Sequence, residues 1–178
     1  MSARRMLVAG VGNIFLSDDG FGSEVVRRMQ GVPVPADVDV LDIGIRGVHL
    51  AYQLLDGYDV LVIVDAAARG QIPGAVTLLT VDQALVADAR PAVAEGDSAL
   101  VDAHGLAPGA ILSMLAGLGG TVGQVYVVAC EPESVAEGIG LSPQVEAAIG
   151  PAIALVEQLM WSGAMPDPTG QHVEEVSR

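Results

Sequence analysis

No lysine occurs anywhere in this chain; its eight basic residues are all arginine, set against twenty-two acidic ones for a net charge of −14. Such a balance repels phosphate backbones and anionic lipid surfaces, which argues against nucleic acid and membrane surfaces as partners. It also removes the Walker-type phosphate loop, which needs its lysine. Cysteine is reduced to Cys130 alone, so there is no internal disulfide and no multi-cysteine zinc site. Cys130 ends an apolar run and reads as a buried structural thiol. Aromatic residues make up 3% of a chain that is 51% hydrophobic, so disorder is excluded and the core must be aliphatic. No run approaches the roughly twenty apolar residues of a membrane span, and no secretory leader follows Met1–Arg5. The expectation is a cytoplasmic protein without membrane insertion.

What is present is an alternation of strand and helix patterns. Met6 to Ala9, Val38 to Leu41, Val60 to Val64, Ala75 to Thr80 and Val125 to Ala129 read as strands. The five consecutive apolar residues of Val60 to Val64 fit a central parallel strand covered on both faces. Only nine residues separate Asp65 from Ala75, too few for a parallel crossover, so Ala75 to Thr80 should run antiparallel at an edge. Phe21, Val25, Val26 and Met29 mark one helix face; Val48, Ala51, Leu54 and Leu55 mark a second. Pro108 opens a third helix with Ile111, Leu112, Leu115 and Leu118, and Ser142-Pro143 opens a fourth that Gly150-Pro151 should kink or split. Ala84 to Ala89 reads as a short helix and Pro91 to Ser98 as loop. The fold class is therefore α/β: one three-layer domain over residues 1–162, with a mostly parallel, twisted five-stranded sheet, helices on both faces and one antiparallel edge strand. Residues 163–178 read as a mobile tail.

Chemistry in such sheets gathers beyond the carboxyl ends of the strands. The first strand runs into Gly10-Val11-Gly12-Asn13-Ile14-Phe15-Leu16-Ser17-Asp18-Asp19-Gly20-Phe21-Gly22. The third glycine of a dinucleotide fingerprint is missing, and acids sit where a pyrophosphate would approach. Ser17 reads as a helix N-cap, placing Asp18 and Asp19 in the first turn. There Asp19 is either a cation ligand and acid/base group or simply an acid that starts a helix. Asp65, directly after five apolar residues, is partly buried and needs a partner: a cation or loop amides. His104 lies in the loop before Pro108. Two carboxylates and one imidazole at one sheet edge would make an open borderline-metal site. Gly96-Asp97-Ser98-Ala99-Leu100 misses the nucleophile-elbow pattern at its last position, and His49 and His172 have no metal or triad spacing.

The Gly10–Gly22 stretch closely resembles the opening signature of the nickel-iron hydrogenase maturation endopeptidases. Val62-Ile63-Val64-Asp65-Ala66-Ala67, Asp102-Ala103-His104-Gly105-Leu106, Glu131-Pro132-Glu133-Ser134-Val135 and Gly140-Leu141-Ser142-Pro143-Gln144-Val145 extend the resemblance in order, over about Met6 to Met160. The resemblance implies an endopeptidase, grouped with the aspartic-type peptidases. Its activity would be to remove the C-terminal extension of a nickel-iron hydrogenase large-subunit precursor after nickel insertion. It implies Asp19, Asp65 and His104 as metal-binding and catalytic residues. Nickel would be carried by the precursor, and other divalent cations could occupy the same ligands. Asp42-Ile43-Gly44-Ile45-Arg46-Gly47 stands where the family often has Asp-Gly-Gly-Thr-x-Gly, a loop linked to substrate choice. Asp42, Gly44, Arg46 and Gly47 are thus the substrate-recognition residues. Arg46 either contacts substrate or is a solvated loop charge. The alternative from another class is a non-catalytic α/β module that binds nickel or a small ligand.

Overall fold

The computed structural model describes residues 4–82 and 108–162. Five strands, β1 (Met6–Val11), β2 (Val38–Gly44), β3 (Val60–Ala66), β4 (Val76–Thr80) and β5 (Gln124–Cys130), form one sheet in the order β2-β1-β3-β5-β4. The β1–β2, β1–β3 and β3–β5 pairs are parallel, and β4 is antiparallel to β5 at the edge. Val60 to Val64 thus lies in the middle strand, as its unbroken apolar run requires. The short link before β4 produces the antiparallel edge expected of it.

Side chains on a strand alternate between faces, and here the alternation divides the interior into two cores. Met6 and Val8 of β1 join Val60, Val62 and Val64 of β3 under α1 (Phe21–Arg28) and α4 (Pro143–Trp161). Leu7, Ala9 and Val11 join Leu61 and Ile63 under α2 (Gly47–Leu54) and α3 (Pro108–Gly117). The fold is therefore the three-layer α/β arrangement expected from the sequence. Cys130 is fully buried at the end of β5, and burial, with the charges of Asp18 and Glu131, pushes its thiol up to about 12. It is a structural thiol.

Local details depart from the sequence reading. β2 does not stop at Leu41 but continues through Asp42 and Ile43 to Gly44, because Gly10 pairs with Asp42 and Val11 with Gly44 across a register shift. On α2 the buried residues are Gly47, Leu50, Ala51 and Leu54, whereas Val48 and Leu55 face solvent. Apolar residues occur all round this helix, so periodicity alone could not choose the face. Leu118 likewise lies exposed past the end of α3. α4 is one 19-residue helix with Pro151 inside it, not two pieces. The carbonyl that loses its partner to proline is that of Ala147, on the exposed side of the helix, where water can satisfy it. The segments 84–89 and 91–98 and the tail 163–178 lie outside the described residues.

The contact that sets the height of α1 over the sheet is made by glycine. A Cβ on Gly22 would stand 2.0 Å from the Val64 carbonyl oxygen and 2.3 Å from that of Val11; one on Gly10 would meet the Gly22 carbonyl oxygen at 2.3 Å. All three obstacles are backbone, which cannot turn aside. Gly22→Ala should therefore cost about 2–3 kcal/mol of stability by overpacking, measured as a lower urea midpoint. An unchanged midpoint would show that α1 can ride outward.

Candidate active site

In the order β2-β1-β3 the chain adds β2 on one side of β1 and then β3 on the other, so the crevice beyond the carboxyl ends of β1 and β3 is the topological switch point of the sheet. Both sequence-derived aspartates of the described residues lie there. Asp65 is the penultimate residue of β3 and, by alternation, points to the α2/α3 face with Leu61 and Ile63. Asp19 follows β1 on a single 3-10 turn, Ser17–Gly20, and is buried. One oxygen of Asp19 accepts the Asn13 amide at 2.7 Å. That bond holds the glycine-rich turn over the carboxylate. Gly12 makes the turn possible: its φ is +132°, and a Cβ there would lie 1.8 Å from the Asp19 carbonyl oxygen.

Asp65 is the most perturbed group of the site. Burial, followed by the neighbouring negative charge of Asp19, pushes its carboxyl up to about 8, against one favourable hydrogen bond from the Ala66 amide. Its Oδ1 is buried with no hydrogen-bond partner among the described residues. Of the two sequence readings, loop-amide capping is therefore incomplete, and the second oxygen stands open to a proton or a cation. His104 lies outside the described residues, as does the remainder of 83–107. Among the described residues, no group of three His, Cys, Asp or Glu side chains is arranged to hold a metal ion.

Asp18, next to Asp19, has the opposite role, which the sequence did not suggest. It is fully buried, and it accepts the amides of Glu133 (2.9 Å), Ser134 (3.1 Å) and Ser142 (2.6 Å) and the Ser142 hydroxyl (2.9 Å). Burial works against its charge, but these four donors outweigh it and hold the carboxyl below the usual range. Asp18 thus fastens the β5–α4 loop to the turn that carries Asp19. Ser142 is accordingly engaged by Asp18 and makes no side-chain cap on α4. Ser17 is not the N-cap expected. It adopts φ +53°, its hydroxyl donates to the Ala136 carbonyl, and α1 starts only at Phe21. The clue to Asp18 was the pairing of a second acid with the Ser134 and Ser142 loop, a contact between residues over a hundred positions apart.

The second loop is closed on itself. Asp42 accepts the Ser23 hydroxyl at 2.7 Å, which ties β2 to α1. The Arg46 guanidinium folds back to donate to the carbonyls of Asp42 (2.8 Å) and Ile43 (3.1 Å). Gly44, at φ +57°, accepts the Gly12 amide at 3.0 Å, and Gly47 starts α2. Three of these four residues thus shape the loop next to the Asp19 turn, and Arg46 braces it.

Two outcomes follow from the carboxylates. In metal-free protein Asp65 binds a proton that the unfolded chain releases near pH 4, so its raised value favours folding at low pH and that advantage is lost as pH rises toward about 8. Asp65→Asn, which is neutral throughout, should therefore flatten the decline in stability between pH 5 and 8 and be more stable than the parent by about 2 kcal/mol or more at pH 8.5; denaturant melts in chelator at each pH measure it, and parallel pH profiles would rule the shift out. Asp18→Ala should cost about 2–3 kcal/mol, because three amides and a hydroxyl lose a charged acceptor, with the loss read by the same melts.

Similarity to known proteins places the chain in a family. The profile of the hydrogenase maturation protease family matches residues 23–159. The chain is 33% identical over 154 residues to the Escherichia coli hydrogenase 2 maturation protease, covering 85% of this chain and 88% of that one. It is also 33% identical over 84 residues to a putative hydrogenase maturation protease of Methanocaldococcus jannaschii, covering 47% of this chain and 54% of the relative, about half its length. The fold resembles the solved hydrogenase maturating endopeptidase HybD of E. coli at a TM-score of 0.67, with 33% identity over 85% of this chain and 89% of that one. With a glycine-built switch-point crevice, a buried aspartate pair within it and relatives matching along nearly the whole domain, the chain belongs to the hydrogenase maturation protease family.

Proposed function

We propose that this protein is the endopeptidase that removes the C-terminal extension of a nickel-iron hydrogenase large-subunit precursor once nickel has been inserted. The observation that carries the reading is Asp65: a carboxyl buried at the end of the central strand, repelled by Asp19, with one oxygen left open. Two acids in such a site cannot both be charged without compensation. A proton supplies it when the site is empty, and a divalent cation supplies it better. Nickel held by the precursor's cysteines is that cation, and Asp19, Asp65 and His104 are its ligands on the protease side. Support for His104 is its place in the chain four residues before Pro108. That proline starts α3, which packs beside α2 on the face to which Asp65 points. Oxygen and imidazole donors with open positions suit a borderline divalent metal.

The arrangement makes nickel insertion a checkpoint. Precursor without nickel meets a site in which a proton already occupies Asp65, and it is not held. Precursor with nickel displaces the proton, docks its metal on the aspartates and brings the scissile bond to them. Nickel bound there would polarise nearby groups as a Lewis acid. An ionised aspartate oxygen facing the bond takes a proton from the attacking water. The hydroxide adds to the carbonyl carbon, the C–N bond breaks, and the proton leaves with the amine of the extension. The site lies in the cytoplasm with its substrate, and among the described residues no helix is long and apolar enough to cross a membrane. The Asp42–Gly47 loop, braced by Arg46, borders the site and takes part in choosing the precursor. A purely ligand-binding module is not favoured, since the relatives matched are named as proteases.

The test is processing of purified precursor followed as a mobility shift. Nickel-loaded precursor should be cut and nickel-free precursor left intact. Asp65→Asn and His104→Ala should each lower the rate by about a hundredfold or more while far-UV circular dichroism stays unchanged. Efficient cutting of nickel-free precursor, or full activity of His104→Ala, would remove nickel recognition from the reading.

A further inference from the structure

The turn that holds Asp19 carries two large apolar side chains into solvent. Ile14 is 51% exposed and Phe15 63% exposed. Across from them, the β5–α4 loop presents Val135 and Ile139, the latter 83% exposed. These four are not scattered. The Gly138 amide donates to the Phe15 carbonyl at 2.9 Å, the Ser17 amide donates to the Gly138 carbonyl at 2.9 Å, and Leu16 and Gly138 form a parallel bridge. Phe15 and Ile139 therefore lie on the two strands of one small ribbon, each next to a bridge residue. Ile14 lies over Gly20, where a Cβ would stand 3.0 Å from the Ile14 Cα. On the far side, the Gly12–Gly44 hydrogen bond continues the surface to Ile45, which is 68% exposed.

The strip is also stiff. Asp18 bolts the β5–α4 loop at both ends, through Glu133 and Ser134 and through Ser142, and the Ser17 hydroxyl adds a bond to Ala136. Apolar side chains held rigid and open to water, in a chain whose core would otherwise take them, mark an interaction surface. Its occupant follows from position and charge. Asn13, immediately before Ile14, donates the amide that holds Asp19, so Ile14 and Phe15 continue the same turn that carries the acid, beside any polypeptide brought to it. A second copy of this chain is disfavoured as occupant because each copy carries a net charge of −14.

We propose that Ile14, Phe15, Ile139 and Ile45 form an apolar docking strip for the precursor, taking an apolar segment next to its scissile bond. The assignment rests on the proteolytic reading above and adds to it where substrate binding energy is gathered. The aspartates select for the metal, and the strip holds the polypeptide. Because the strip binds ground state and transition state alike, it acts on KM and not on kcat.

The experiment uses the full chain with nickel-loaded precursor and the variants Phe15→Ser, Ile139→Ser and the double substitution. Loss of a central aromatic contact typically weakens binding by about tenfold. The double variant should raise KM by about tenfold or more, with kcat within about twofold and an unchanged Tm. Unchanged KM in the double variant, with the parent protein active, would overturn the docking strip and leave the proteolytic reading standing. A fall in kcat at constant KM would overturn it as well, by placing these side chains in the chemical step. A parent protein that sediments as a dimer, and turns monomeric in the double variant, would make the strip a self-interface instead. A parent protein that neither cuts nor binds the precursor would sink the proteolytic reading, and the docking assignment with it.

Discussion

Two carboxyl groups sharing one desolvated crevice is the constraint around which this molecule is arranged. Asp19 and Asp65 arrive from neighbouring strands, and their mutual repulsion adds to burial in driving Asp65 toward its protonated form. A folded chain gains nothing from such an arrangement. Asn or Ser would fill either position without the electrostatic cost. What the pair does provide is a place whose charge is left uncompensated until something positive arrives. The sheet topology supplies the location, since β1 and β3 are adjacent and parallel and both end at the switch point. The glycines supply the proximity: without Gly22, α1 could not sit down on Val11 and Val64, and the turn bearing Asp19 would lift with it.

The adjacent acids Asp18 and Asp19 show how environment divides identical side chains between tasks. Asp18 is surrounded by donors and keeps its charge, so it serves as a fixed anchor for the loop 133–142. Asp19 receives the Asn13 amide and faces another acid. The anchor matters to the site because it removes freedom from the turn. A ligand-bearing 3-10 turn of four residues has little intrinsic stability, and here it is held from below by α1 and from the side by the β5–α4 loop. Rigidity keeps the two acids together, because a loose turn could swing Asp19 away from Asp65 and relieve the repulsion.

Much of this could be read from the chain alone, for a physical reason. Buried parallel strands leave continuous apolar runs, and β3 was legible as the central strand because Val60 to Val64 fits a strand covered on both faces. The nine-residue link after Asp65 forbade a parallel return, which fixed β4 as antiparallel. Asp65 itself stood out as an acid at the end of an apolar strand. The failures share a cause as well. The Ser17 cap, a split of the last helix at Pro151 and the buried face of α2 were judged from local propensity, and the wider structure decided otherwise. Ser17 gives its amide to the Gly138 carbonyl, Pro151 sits where its missing bond faces water, and α2 turns Leu50 and Leu54 to the sheet while leaving Val48 outside. Asp18 was missed because nothing within its own stretch distinguishes an acid that binds distant amides from one that begins a helix.

The distribution of apolar side chains carries the division of labour further. The two cores already consume nearly every aliphatic residue of the strands, so those left outside are informative by their placement. Val48, Tyr52, Met114 and Trp161 are exposed on the helices, whereas Ile14, Phe15, Ile45 and Ile139 lie on loops at the carboxyl edge of the sheet. A crevice lined only by carboxylates would attract any cation from solution and release it as readily. Specificity for a metal presented on a polypeptide needs a second surface that recognises the polypeptide, and it must be rigidly joined to the first. The Phe15–Gly138 and Ser17–Gly138 hydrogen bonds make that joint. One set of loop contacts, anchored by a single buried aspartate, thus holds the acid pair and the exposed apolar strip in one rigid unit, which is what the proposed recognition of a metal presented on a polypeptide requires.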